Sequence, residues 1–225
     1  PTYQHSLLRS ISALFVLFIL LGSPSKGLSQ EVPFPEILSA VVHIRTHIPP
    51  TARTAQFLGT QRQASGVVID AEGLVLTIGY ILIEAAEVEV TGPDGQVVPA
   101  QIIGNDYDTG FGLLRTARPL GVRPMPLGLS SELRERAEVL VASYGAPEAV
   151  LPTFVTGRRE FTGYWEYLLE NAIFTPPPHP NFAGAALIGP DGSLLGIGSL
   201  FVGDALAGEI RLPGNMFIPI DRLKP

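Results

Sequence analysis

Few residues in this chain can do chemistry. Its 225 residues include four histidines and no cysteine, which removes disulfides, thiolate nucleophiles and cysteine-ligated metal sites. His43 and His47 stand four apart in a stretch that reads as a strand, so both imidazoles leave from one face. Two imidazoles begin a metal site, but no third ligand accompanies them, and no metal is expected. His179 lies inside Pro176-Pro177-Pro178-His179-Pro180 and reads as a loop histidine rather than a general base. Ser65 and Ser143 fall beside strand-like runs with no base partner nearby in sequence. No nucleophile–base pair, metal set or cofactor motif emerges from these residues alone.

The elements that must position them are short and β-rich. Apolar or alternating runs occupy residues 37–48, 66–69, 74–78, 88–90, 97–103 and 111–114. Turn signals separate them, among them Asp70-Ala71-Glu72-Gly73 and Gly92-Pro93-Asp94-Gly95, a rhythm that suggests a sandwich or barrel. Only residues 80–86 suit a helical turn in this half. Residues 118–128 (RPLGVRPMPLG) carry three prolines and read as a linker. A second set of runs follows at 138–142, 150–155, 167–174, 185–188, 194–201 and 216–220. Phe161, Tyr164, Trp165 and Tyr167 form the densest aromatic group and read as core and barrel edge, with an exposed binding patch as the alternative.

Composition bounds the function. Apolar residues make up 46% and charged residues 16%, which supports a large core and opposes disorder. The net charge is −6 and no Lys/Arg stripe occurs, so nucleic acid is not an expected partner. Near the start, Arg9 precedes an apolar run at residues 11–21 (ISALFVLFILL), then Gly22-Ser23-Pro24 and Gly27-Leu28-Ser29. This pattern suggests a secretory signal, since a spanning helix needs about 20 apolar residues. The rival is an uncleaved anchor, extended by Leu7 and Leu8, that would place residues 7–22 in a membrane. Either places the remainder outside the cytoplasm: exported, periplasmic or in the cell envelope, and in the second case anchored to the inner membrane.

Several segments, in order, resemble HtrA/Deg-type serine proteases. Residues 65–77 (SGVVIDAEGLVLT) are similar to the family's second and third strands, which end in Ile-Leu-Thr before Asn-x-His. Residues 97–114 resemble the family stretch whose second Asp orients that His. Residues 126–133 (PLGLSSEL), 138–142 (EVLVA), 183–197 (AGAALIGPDGSLLGI) and 216–225 (MFIPIDRLKP) resemble the later strands, the nucleophile loop and the closing strand. The likeness covers residues 37–225. It implies an all-β, trypsin-like double β-barrel: two six-stranded barrels with a cleft between them, after an N-terminal hydrophobic signal or anchor helix. The implied organisation is 1–30 signal or anchor, 31–117 first barrel, 118–128 linker and 129–225 second barrel. The family usually continues into a peptide-binding PDZ domain, and none is expected before Pro225.

Carried over position by position, the resemblance puts Tyr80 at the family's His, Gly110 at its Asp and Ala183 at its Ser. A tyrosine is a poor base at neutral pH, glycine has no carboxylate and alanine has no hydroxyl. The resemblance also implies a remodelled oxyanion loop at Asn181, Phe182 and Gly184, and a stiffened pocket wall at Pro177. The implied function is that of a pseudoprotease: an interaction or scaffold protein of the envelope, or an accessory subunit of a membrane complex. Its partner would be a protein or extended peptide in the old substrate cleft, with Tyr80, Pro177, Phe182 and Trp165 as candidate contacts and no cofactor. The alternative is an active serine endopeptidase or hydrolase with a relocated catalytic site.

Overall fold

Alternation of buried and exposed residues builds the first half. In β1 (Val41–His47), Val42, Ile44 and Thr46 are buried while Arg45 and His47 are exposed, the period-two pattern of a strand covering a core. It pairs with β2 (Gln61–Val68), and β3 (Leu74–Ile78), β4 (Glu87–Thr91), β5 (Val97–Asn105) and β6 (Phe111–Thr116) close a barrel in the order β1-β2-β3-β6-β5-β4. These six strands correspond to the six runs read from the sequence. A short helix, α1 (Phe34–Leu38), precedes β1, so the run at 37–48 divides into helix and strand. Another, α2 (Ala55–Leu58), lies between β1 and β2. The expected helical turn is a 3-10 turn at Gly79–Leu82. This computed structural model describes residues 33–145, 149–163, 168–206 and 211–223. The signal or anchor over 1–30 and the aromatic residues Tyr164, Trp165 and Tyr167 lie outside them. Among the described residues no helix is long and apolar enough to cross a membrane.

The second half differs from the expected closed barrel of six strands. It is a seven-stranded sheet in the order β8-β7-β11-β12-β13-β10-β9. Its strands are β7 (Glu138–Ala142), β8 (Val150–Phe154), β9 (Gly157–Phe161), β10 (Leu169–Thr175), β11 (Ala186–Ile188), β12 (Leu194–Leu206) and β13 (Leu212–Pro219). The added strand is β9, whose Arg158-Arg159-Glu160 core gave no apolar signal. Its charges suit the edge that it occupies, and Pro152 suits β8 at the opposite edge, because both leave an unpaired flank poor for further pairing. Arg159 still covers apolar surface: its guanidinium carbon lies 3.6 Å from the ring centroid of buried Phe174, in cation–π range.

One large cluster of buried side chains runs through both halves, from Val42, Ile44 and Leu76 in the barrel to Phe174, Met216 and Ile218 in the sheet. Residues 118–128 form no regular element but are packed: Met125 is buried and its N–H donates to Val68 O at 2.9 Å.

Candidate functional site

Two loops of the barrel carry Tyr80 and Gly110. The Tyr80 turn is tied to its neighbour where Gly79 N–H donates to Gly110 O at 2.7 Å. Arg62, only 6% exposed, clamps it from β2. Its guanidinium donates to the carbonyls of Tyr80 (3.1 Å) and Ile83 (3.0 Å) and to the Thr54 hydroxyl (2.7 Å). Burial pushes the Arg62 pKa down, and the charge of Glu84 opposes that shift. Across the cleft, a register shift in β12 between Gly198 and Leu200 re-aims the backbone, as bulges do beside functional clefts. The Tyr80 hydroxyl donates to Ser199 O there, at 3.3 Å.

Gly110 closes the turn that follows β5. Its N–H donates to Asp106 O at 2.8 Å, and its φ is +87°, the left-handed region that favours glycine. A Cβ added at Gly110 would sit 3.1 Å from Cδ1 of buried Ile218 on β13. Asp106, which lines the same cavity as Tyr80 and Gly110, is committed to the turn, accepting from Thr109 Oγ1 (2.7 Å) and Asp108 N–H (2.9 Å). Tyr80, Gly110, Asn105 and Ile78 line a cavity of about 30 Å³, room for a water rather than an imidazole.

Ala183 sits in a loop fixed from both halves. Its carbonyl accepts from Ser65 N–H at 2.9 Å, and Gly184 N–H donates to Gly198 O at 2.9 Å. Gly184 has φ +69°, and a Cβ there would run into Ser65 O, so only glycine fits this approach. His179 holds the front of the loop. Its ring is buried, with Nδ1 accepting from Asn181 N–H (3.1 Å) and Nε2 facing Ala149 O (2.9 Å). An N–H donor on Nδ1 and a carbonyl on Nε2 fit the tautomer that carries its N–H on Nε2. Both nitrogens are committed to backbone, consistent with a loop histidine.

The structure places Ala183 on a different cavity from Tyr80 and Gly110. This larger pocket, about 240 Å³, is lined by His43, Gln63, Ser65, Tyr144, Phe182 and Ala183, among others. His43 and Ser65 are direct cross-strand partners in the β1–β2 register, which the sequence did not reveal. The Ser65 hydroxyl accepts from Tyr144 N–H at 2.9 Å, whereas His43 Nε2 lies 3.2 Å from Gln63 Oε1. The His43 ring stacks on Tyr144 with centroids 4.4 Å apart and planes at 20°. Burial pushes the His43 pKa down, the Gln63 contact opposing and the charge of Arg45 reinforcing it. His47 is exposed and does not share the pocket, and no group of three metal-ligating residues occurs among the described residues. Pro177 is exposed, and Trp165 lies outside the described residues.

A closed six-stranded barrel, a second antiparallel sheet and a cleft loop pinned between them define a trypsin-like fold. Residues 64–197 match the trypsin-like peptidase domain family, and the chain belongs to that family, with HtrA/Deg proteases among its relatives. It is 28% identical over 203 residues to the serine protease PepD of Mycobacterium tuberculosis, covering 79% of this chain and 43% of PepD. It is 26% identical over 159 residues to the periplasmic serine endoprotease DegP of Salmonella typhimurium, covering 68% of this chain and 33% of DegP. The chain therefore spans less than half the length of either. The solved structure of the HtrA-type protease AlgW with a tripeptide superposes with a TM-score of 0.65 at 21% identity, covering 84% of this chain and 60% of that one.

Proposed function

We propose that this chain is a non-catalytic member of its family that keeps the substrate cleft as a binding surface for extended peptide. The observation that carries this reading is the occupancy of the three catalytic positions. Tyr80 spends its hydroxyl on Ser199 O, Gly110 has a backbone conformation that disfavours a carboxylate-bearing residue, and Ala183 has no nucleophile. Serine proteolysis needs a hydroxyl, a base and an orienting carboxylate, and loss of such a set removes several powers of ten in rate. In this mechanism the oxyanion is held by the N–H of the nucleophile and of the residue two before it. The second of these is Asn181 N–H, which here donates to His179 Nδ1. Among the described residues, the flank of β2 at residues 61–64 has no ladder partner toward β3, an edge to which a peptide can add as a strand.

The place of action fits the cell envelope. The apolar run at residues 11–21 behind Arg9 has the pattern of an export signal or anchor, and DegP, a relative, is periplasmic by name. Retention of residues 7–22 as an anchor would support an accessory role in a membrane complex. A second reading, a hydrolase with a relocated site, draws on one observation: His43 opposes Ser65 beside Ala183. The two readings separate on incubation with unfolded casein followed by mass spectrometry. Casein left intact but retained by the immobilised chain supports the binding role; cleavage products lost in a Ser65→Ala variant support the relocated site.

A further inference from the structure

The larger pocket has a wall unrelated to the three catalytic positions. His43 leaves the outer face of β1 and stacks on Tyr144, which follows β7. The pair joins the barrel to the sheet, and the Ser65 hydroxyl pins Tyr144 N–H beneath it. Tyr144 remains 39% exposed, so a large aromatic face is held rigidly but left uncovered. Phe182 adds a second ring, and Gln63 and Asn181 supply neutral amides. None of the described lining residues carries a fixed charge. An acidic or basic side chain would lose water there without a counter-charge, whereas a neutral ring would gain stacking partners.

Size and setting narrow the occupant. At about 240 Å³ the pocket is smaller than the roughly 300–1,000 Å³ of a site for a whole small molecule. It suits one large side chain. Beside it, β2 pairs with β1 along its length but with β3 only at Val67 and Val68. The flank of residues 61–64 thus has no ladder partner on that side among the described residues, an edge on which an extended chain can lie. We propose that this pocket selects one uncharged aromatic side chain of a bound peptide, seated against Tyr144 while the peptide backbone follows β2. The inference rests on the reading above that the cleft binds peptide without cutting it.

The test uses the full chain labelled with nitrogen-15 and pools of capped hexapeptides, randomised at five positions with the fourth fixed as Tyr, Phe, Leu, Asp or Lys. Binding is followed by amide shifts, and each pool is checked by mass spectrometry afterwards. The Tyr and Phe pools should bind about threefold to tenfold tighter than the Leu pool, with shifts centred on Gln63, Ser65 and Ala183. Tyr144→Ala should abolish the preference and Tyr144→Phe should keep it. Equal affinity across the pools, no binding by any pool, or shifts centred elsewhere overturns the inference. Cut peptides would instead overturn the non-catalytic reading, whichever pool they came from.

Discussion

Placing a carboxylate at Gly110 should damage the fold before it helps any chemistry. At φ +87° a residue with a Cβ carries a penalty of about 1–2 kcal/mol, at the lower end for aspartate. The new Cβ would also sit 3.1 Å from Ile218 Cδ1, pressing the barrel against the sheet, and overpacking of this kind costs about 1–3 kcal/mol. Together Gly110→Asp should lose about 2–4 kcal/mol of stability. Gly110→Ala should lose most of that amount, because backbone and Cβ cause it. The assay is urea unfolding, read as a lower midpoint at unchanged slope. A Gly110→Asp chain within about 0.5 kcal/mol of the parent, the range of surface changes, would show that neither the positive φ nor the approach to Ile218 penalises a side chain there. The triple variant Tyr80→His, Gly110→Asp, Ala183→Ser should accordingly cleave casein no better than the parent. Robust cleavage by it would show that the loops retain catalytic geometry.

Other outcomes follow from the same contacts. His179→Ala strips partners from Ala149 O and Asn181 N–H and should lower stability by about 2–4 kcal/mol in thermal unfolding; a change under about 0.5 kcal/mol would contradict its role as the loop's brace. Tyr80→Phe removes the donor to Ser199 O and should lose about 0.5–1.5 kcal/mol by urea unfolding, while a gain would show that the hydroxyl is poorly accommodated. The Thr109 hydroxyl, against some burial and aided by the N–H groups of Asp108 and Thr109, holds the Asp106 carboxyl below the usual carboxylate range. A depressed native pKa stabilises the fold above the ordinary carboxylate value, and that stability is lost as pH falls through the native value. Asp106→Asn should flatten that part of the acid limb in unfolding curves; an unaltered limb would contradict this.

The barrel was legible because its strands alternate over one core, and β9 was not, because Arg158-Arg159-Glu160 hides an edge strand behind charge. The assignment of Tyr80, Gly110 and Ala183 to the family's catalytic positions rests on motif order, with Asp191-Gly192 and Gly184 setting the register of the loop. What the sequence lacked was pairing. His43 meets Ser65 through a strand register, Tyr80 meets Ser199 from 119 positions away, and His179 finds Ala149 from 30. Such contacts are set by tertiary packing, which leaves no periodic trace in the chain. The positive φ of Gly110 was hidden for the same reason: a glycine permits that conformation without announcing it.

On the proposed reading, no serine of this chain is an activated nucleophile. Treatment of the native chain with a fluorophosphonate probe, followed by intact-mass measurement, tests it directly. A non-catalytic chain should keep an unmodified mass under conditions that label an active serine protease to completion. Stoichiometric addition of one probe, mapped to Ser65 or any other serine, would contradict it.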